Sequence, residues 1–172
     1  SPSVEIVSLG VFASAGRLEF FDRSHRGFGV VLPGRPGAVR AADGRCTFLW
    51  TAPDQWLAVA DGGASLFSRL QETCGGLCAL TSQGDSRTIL SLSGSGARDV
   101  ASRLLPIDLH PRAFGGNDVA STLAGHIPVI VWLADETPTC LFLVFRSFAT
   151  SLFHDISVAL AAFSSSAKAL RV

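Results

Sequence analysis

The clearest local pattern in the chain is a strand followed directly by a helix, within residues 87–111. Side chains alternate between two faces from Arg87 to Ser93, with apolar residues on one face and serines on the other, which predicts a strand. Apolar residues then recur at helical spacing: Ala97, Val100, Ala101, Leu104 and Leu105. Pro106 ends this helix, because the residue before a proline favours extended backbone. We therefore expect a loop of defined conformation from Ile107 to His110.

Hydrophobic spacing also predicts two hairpins and two further helices. The hairpins pair residues 46–50 with 55–60, and residues 128–133 with 139–145. One helix covers residues 66–74, ends at Gly75 and leads into a strand at 77–80. The other opens at Ser147, and its apolar residues share one face: Phe148, Leu152, Ile156, Leu160 and Phe163. Because the order strand, helix, strand recurs, the pattern indicates a duplicated α+β unit.

The two ends of the chain give weaker patterns. In residues 1–26, Val4, Ile6 and Val7 could form a strand, and the polar residues that follow predict a partly ordered arm. Residues 27–32 are predicted as a short strand. Residues 164–172 are expected to fray. A length of 172 residues fits one domain with one core, so residues 1–172 are assigned to a single α+β domain of mostly antiparallel sheets with helices packed on them.

The last hairpin is apolar at nearly every position, unlike an antiparallel pair with one face in water. Both faces must therefore be covered. The final helix can cover one of them, whereas the other needs either the first helices or another polypeptide.

Composition points towards assembly with other proteins. Charged residues make up 16% of the chain, below the usual level of about 25%, and apolar residues reach 48%. The 14 basic and 14 acidic residues balance without a basic stripe, so neither nucleic acid nor an anionic membrane is an expected partner. No apolar run reaches the roughly 18 residues of a membrane span, and a cytoplasmic location is predicted. Four cysteines in separate contexts are predicted to be buried free thiols rather than zinc ligands or disulfides.

No sequence motif satisfies the requirements of a catalytic, cofactor or metal site. Asp108 and His110 have acid and base chemistry, but between Pro106 and Pro111 such side chains commonly bond the local backbone, and this structural role is favoured. The glycines of the Gly94-Ser95-Gly96 turn resemble a phosphate-binding turn only partly, so a tight turn is the preferred interpretation.

Two arginines and three tryptophans are candidate structural or partner-binding residues. Arg87 and Arg146 lie at the ends of apolar elements, where each could pair internally, hold an anion or reach a partner. Trp50 and Trp56 flank a predicted turn. They could be anchors in the core or at an interface, or they could form a stacking platform for a pterin or flavin. Trp132, within the predicted strand at residues 128–133, is a further candidate structural or partner-binding residue.

The chain resembles the gamma subunit of heterotetrameric sarcosine oxidase. The resemblance rests on the strand, the Ser-Gly turn and the Pro-Ile-Asp-Leu-His-Pro exit described above. It also rests on three other segments: Leu49-Trp50-Thr51-Ala52-Pro53-Asp54-Gln55-Trp56-Leu57, residues 122–132, and Arg146-Ser147-Phe148-Ala149. In this family the residues before the central strand often read Asp-x-Ser-Asp-x-Arg, whereas this chain has Ser82 and Gly84 at two of those positions. This difference leaves room for a divergent complex acting on another N-methyl or secondary amine.

The resemblance implies a non-catalytic subunit with the fold of the folate-binding domain of aminomethyltransferases. It places FAD, FMN, NAD and tetrahydrofolate on partner subunits, and it implies alpha, beta and delta subunits as partners. The complex would demethylate sarcosine to glycine with one-carbon transfer to tetrahydrofolate. A free-standing folate-binding or aminomethyltransferase-like domain is the alternative, and a self-associating structural protein is a third.

Overall fold

The structure, a computed structural model, describes residues 4–12, 16–62, 65–135 and 138–169, with side chains as far as residue 164. The chain divides into two compact units, one ending at Arg87 and the other beginning at Thr88. Each unit has its own sheet, and all of the strand pairs with a defined register are antiparallel. The predicted α+β class with mostly antiparallel sheets is confirmed.

Unit 1 contains a five-stranded sheet and two helices. Its elements in chain order are β1 (Val4–Val11), α1 (Arg17–Phe28), β2 (Ala38–Arg40), β3 (Cys46–Ala52), β4 (Gln55–Asp61), α2 (Leu66–Cys74) and β5 (Cys78–Ser82). The strand order across the sheet is β2-β3-β4-β1-β5, so β1 lies inside the sheet between β4 and β5.

The arm predicted for residues 1–26 is wrong where the structure describes it. Strand β1 occupies an interior position in the sheet, and helix α1 follows it. The polar residues that suggested an arm lie on the solvent side of α1, where Glu19 pairs with Arg23 one turn apart. The strand predicted at 27–32 is also wrong, because α1 continues to Phe28 and ends at Gly29 with φ 68°. Residues 1–3 and 13–15 of the predicted arm lie outside the described part.

Unit 2 contains a four-stranded sheet and helices of unequal length. Its elements are β6 (Arg87–Ser93, the first residue of which ends unit 1), α3 (Ala97–Ser102), β7 (Val119–Ala124), β8 (Ile127–Leu133), β9 (Thr139–Phe145), a short 3-10 helix (Arg146–Phe148) and α4 (Ala149–Ala169). The strand order is β6-β9-β8-β7. Helix α4 extends well into the segment that was expected to fray, and residues 170–172 lie outside the described part.

Both faces of the β8–β9 hairpin are buried within this chain. Val131 and Phe142 pair across the strands and belong to the cluster that α3 and α4 help to form. On the opposite face, Ile130 pairs with Leu143, and the two side chains are 8% and 0% exposed. The second face therefore does not need another polypeptide.

The two units share one topology, with a single difference. Elements β1, α1, β2, β3, β4 and α2 correspond in order to β6, α3, β7, β8, β9 and α4, and the sheet orders β2-β3-β4-β1 and β7-β8-β9-β6 match. The predicted duplication is therefore present, although it starts at β1 rather than at the first hairpin. Strand β5 of unit 1 has no counterpart among the described residues of unit 2.

The core consists of two clusters rather than one. One cluster lies in unit 1 around Phe20, Phe48 and Trp56, and the other lies in unit 2 around Val131 and Phe142. The expectation of a single core is wrong, whereas the assignment of residues 1–172 to one domain stays a prediction. No helix in the described part of the chain combines the length and apolarity that crossing a membrane requires.

Candidate functional site

Asp108 and His110 lie in the exit loop after α3, where their side chains bond neighbouring backbone. The His110 backbone N–H donates to Asp108 Oδ1 at 2.8 Å. The Arg112 backbone N–H donates to His110 Nδ1 at 3.2 Å. Both side chains are exposed, and these contacts agree with the turn-fixing role rather than with an acid and base pair.

Arg98 is the residue that ties this loop to the rest of unit 2, and sequence reasoning missed it. It lies on the first turn of α3, and its Nη1 donates to the backbone oxygens of Leu109 and Phe114, each at 2.7 Å. Leu109 and Phe114 are themselves buried. The signal available in the sequence was an arginine beside apolar positions of a helix that precedes a proline-bounded loop. The long side chain of such an arginine can donate hydrogen bonds to backbone carbonyl groups of the loop.

Backbone geometry and one packing contact account for the two glycines of the Gly94-Ser95-Gly96 turn. Gly94 has φ 111°, which residues with a side chain rarely adopt. A Cβ atom at Gly96 would lie 2.6 Å from the ring of Phe163 on α4. The helix that follows has only six residues. Both glycines are thus explained by backbone geometry and packing, in agreement with the tight-turn interpretation.

The tryptophans of unit 1 are packing residues. Trp50 and Trp56 are opposite each other on β3 and β4. Trp56 is 1% exposed, stacks on Phe20 and donates from Nε1 to the backbone oxygen of Pro33 at 2.9 Å. Phe21 meets the same indole edge to face. No face of Trp56 is therefore left for a pterin or flavin.

The remaining candidates lie on separate elements. Arg87 begins β6 and is half-buried, and this burial lowers the pKa of its guanidinium. Trp132 on β8 is half-buried, and its buried Nε1 has no hydrogen-bond partner. Arg146 is exposed at the start of the 3-10 helix. These positions do not form one reactive centre with Asp108 and His110.

The cysteines are buried free thiols. Burial raises the pKa of Cys46 to about 11 and that of Cys78 to about 12, because the thiolate loses its hydration. Burial also raises the pKa values of Cys74 and Cys140. Protonated thiols are poor nucleophiles and poor metal ligands. Across the described residues, no three His, Cys, Asp or Glu side chains come together as a metal site.

The most distinctive surface of unit 2 is an exposed apolar run that begins at the end of β9 and continues along α4. Its large side chains are all exposed by more than a third: Phe145, Phe148, Phe153, Val158 and Leu160. Phe153 and Leu160 are seven residues apart and share one side of the helix, next to the buried face that contains Leu152 and Ile156. The Phe153 and Leu160 side of α4 is therefore an apolar surface that a protein contact could cover.

Comparison with known proteins identifies relatives along most of the chain. Residues 14–162 match the family described as sarcosine oxidase, gamma subunit. The gamma subunit of sarcosine oxidase from Arthrobacter sp. is 38% identical over 109 residues, which are 63% of this chain and 54% of that protein. The corresponding protein of Corynebacterium sp. strain P-1 is 37% identical over the same shares. The matched region is about half the length of these curated relatives.

Solved structures agree with the family match. A chain of the heterotetrameric sarcosine oxidase from Corynebacterium sp. U-96, in complex with pyrrole 2-carboxylate, has a TM-score of 0.81 at 28% identity, covering 95% of this chain and 83% of that chain. The aminomethyltransferase T of the glycine cleavage system from Bartonella henselae has a TM-score of 0.63 at 12% identity, covering 90% of this chain and 43% of that chain. The second likeness concerns the fold alone.

The resemblance predicted from the motifs is thereby confirmed: this chain belongs to the sarcosine oxidase gamma subunit family.

Proposed function

We propose that this chain is a non-catalytic gamma subunit of a heterotetrameric sarcosine oxidase and that its role is to stabilise the assembly. The observation that carries the proposal is the likeness to a chain of such a heterotetramer, at a TM-score of 0.81 over 95% of this chain. The family match over residues 14–162 supports it independently.

The chemistry of the candidate residues supports an assembly role. Asp108 and His110 hold backbone groups of their own loop, and Trp56 is enclosed in the core of unit 1. The exposed apolar run of α4 offers contact area instead of reactive groups. A surface of this kind stabilises a complex by removing apolar area from water.

The remaining components of the proposal come from the family resemblance. The partners are the alpha, beta and delta subunits, and FAD, FMN, NAD and tetrahydrofolate are bound by those partners. The complex oxidises sarcosine to glycine and transfers the one-carbon unit to tetrahydrofolate. A cytoplasmic location is part of the proposal, and the free state of the four cysteines supports a reducing compartment.

Co-purification tests the proposal directly. The full chain with an affinity tag is expressed together with the alpha, beta and delta subunits, and the eluate is examined by gel electrophoresis and by an absorbance scan for flavin. We expect three further polypeptides and a flavin spectrum in the eluate. The same tagged chain, expressed alone, is the control, and it should elute without flavin absorbance.

The folate-binding alternative is tested on the isolated chain. Tetrahydrofolate is titrated while the fluorescence of the three tryptophans is recorded. The proposed role predicts no saturable change, because the proposed folate site belongs to a partner. Tight folate binding by the isolated chain, together with failure to retain the other subunits, would instead establish an aminomethyltransferase-like domain.

A further inference from the structure

The sulfur of this chain is confined to four cysteine side chains. Its 172 residues include four cysteines and no methionine. Thiols and thioethers are the side chains that peroxide oxidants attack, and they convert a thiol first to a sulfenic acid and a thioether to a sulfoxide. The susceptibility of the chain to such an oxidant therefore depends on where its four thiols lie.

Each unit encloses its own thiols. In unit 1, Cys46, Cys74 and Cys78 are 3%, 0% and 5% exposed, and all three belong to the buried cluster of that unit. In unit 2, Cys140 is 1% exposed and belongs to the buried cluster that α3 and α4 help to form. Because the oxidation of a thiol depends on its exposure, the fold keeps all four sulfur atoms away from a dissolved oxidant.

Two of these thiols are also held by hydrogen bonds on either side of the turn between α2 and β5. Cys74 ends α2, and its Sγ lies 3.4 Å from the Oγ of Ser24 on α1, a side chain that is itself buried. Cys78 begins β5, and its Sγ donates to the backbone oxygen of Cys74 at 3.6 Å. These bonds fix both sulfur atoms in the interior of unit 1.

The buried thiols are also in the less reactive protonation state. The thiolate, rather than the thiol, is the nucleophile. Burial raises the pKa of Cys46 to about 11 and that of Cys78 to about 12, and it also raises the pKa values of Cys74 and Cys140. At neutral pH the thiolate fraction at these positions is therefore smaller than it is for an exposed cysteine.

The exposed apolar run of unit 2 consists of side chains without sulfur. Its large side chains are phenylalanine, valine and leucine: Phe145, Phe148, Phe153, Val158 and Leu160. Methionine is enriched at protein contacts and on adaptable binding surfaces, where its oxidation to the polar sulfoxide disrupts the contact. The run on α4 therefore offers apolar area that a peroxide leaves unchanged.

We propose that this arrangement protects the chain from hydrogen peroxide that the oxidase complex forms beside it. This inference rests on the proposed function. Oxidation of sarcosine reduces a flavin by two electrons, and the reduced flavin passes both electrons, with two protons, to oxygen, which gives hydrogen peroxide. At an exposed cysteine, the sulfur would attack one peroxide oxygen and the O–O bond would break, so that the thiol becomes a sulfenic acid and the second oxygen leaves as water. Burial of the four thiols prevents this reaction.

Peroxide treatment of the isolated full chain tests the shielding. The folded chain and the chain unfolded in urea are exposed to the same concentration of hydrogen peroxide at neutral pH. Gel filtration then removes the peroxide, and the remaining thiols are counted by alkylation and intact-mass spectrometry. We expect the folded chain to lose its thiols at least about a hundredfold more slowly than the unfolded chain, because oxidation of a buried thiol requires local opening.

Two serine replacements are matched controls. Ser91→Cys changes one oxygen atom to sulfur at an exposed position of β6 in unit 2. Ser68→Cys does the same at an exposed position of α2 in unit 1, so the test does not depend on one variant. In each folded variant we expect the added thiol to be oxidised within about tenfold of the rate in the unfolded chain, while the four native thiols persist. Peptide mass spectrometry identifies the oxidised residue.

The outcomes separate this inference from the proposed function. If the folded wild-type chain lost its thiols as fast as the unfolded chain, the shielding would be overturned whatever the chain assembles with. If the added thiols resisted peroxide as well as the native ones, burial would not be the cause, and the shielding would also be overturned. The proposed function is tested separately on the assembled complex supplied with sarcosine. Failure to retain the other subunits, or to form peroxide that catalase removes, would contradict that function and leave the thiol counts of the isolated chain unchanged.

Discussion

Replacement of Arg98 is expected to loosen the exit loop of unit 2 without changing its sheet. The guanidinium of Arg98 joins α3 to the loop through the carbonyls of Leu109 and Phe114. In Arg98→Ala, both carbonyls lose a charged donor at 2.7 Å while their own side chains stay buried. The loop that contains Asp108 and His110 would then have lost its principal connection to the helix.

The magnitude follows from the kind of bond that is lost. A hydrogen bond to a charged group contributes about 1.5–3 kcal/mol, and an unsatisfied buried acceptor costs a similar amount. The two bonds share one nitrogen, Nη1, and the site is only partly buried, so the two contributions do not simply add. We therefore expect Arg98→Ala to lower the free energy of unfolding by about 2–4 kcal/mol.

Urea denaturation of the full chain, followed by circular dichroism and by amide exchange in residues 105–118, measures this effect. Arg112→Ala is the matched control, because it removes an exposed arginine from the same loop and should change stability by less than about 0.5 kcal/mol. Arg98→Lys keeps the charge but loses the planar fork, and we expect an intermediate value. If Arg98→Ala matched Arg112→Ala, the connecting role of Arg98 would be refuted.

Three further substitutions or conditions give expected outcomes. Gly96→Ala should destabilise the chain by about 1–3 kcal/mol, because the new methyl group overlaps the Phe163 ring; urea midpoints measure this. Glu5→Gln should cost about 1 kcal/mol by the same measurement, because the Glu5 carboxylate accepts from two N–H groups at the start of α2, at 2.9 and 2.8 Å. Raising the pH should destabilise the fold. The thiol pKa values of Cys46 and Cys78 are raised by folding from 9.0 to about 11 and about 12, so their contribution is complete below pH 9 and is lost progressively above it; urea midpoints between pH 8 and 11 show this.

Two of these predictions have a control variant that should show little change. Gly10→Ala adds a methyl group where no atom lies within 4 Å of the new Cβ, and Glu72→Gln neutralises an exposed carboxylate on the same helix α2. For the thiols, replacement of Cys46 by Ala should reduce the loss of stability at high pH. A midpoint that stayed constant from pH 8 to 11 would contradict the role of the buried thiols.

The sequence predicts the elements whose signals are local. The hairpin containing Trp50 and Trp56 is confirmed, because a proline and an aspartate mark its turn and both strands are apolar. Strand β6 and the helix after it are also confirmed, because their apolar spacing is a local signal. Helix α3 is shorter than its apolar spacing suggests, since it ends at Ser102 before the proline loop begins.

Features that depend on distant residues are not predictable in this way. Helix α1 buries Phe20, Ser24 and Phe28 on one side, and the larger number of charged residues on the other side obscured this narrow apolar face. The role of Glu5 at the start of α2 joins residues about sixty positions apart in the chain. The two hydrogen bonds that Arg98 donates likewise depend on a loop geometry that no short sequence pattern contains.

The low fraction of charged residues first suggests that a partner must cover apolar surface, but the structure indicates a different cause. The last hairpin seemed to need an external partner, yet Ile130 and Leu143 are buried within the chain. Much of the apolar content is therefore used by the buried cluster that each unit contains. What remains exposed in unit 2 is the apolar run that begins at the end of β9 and continues along α4. Since each unit has a core of its own, the isolated chain should fold before it meets a partner, and assembly should then add contacts to unit 2 instead of completing its interior.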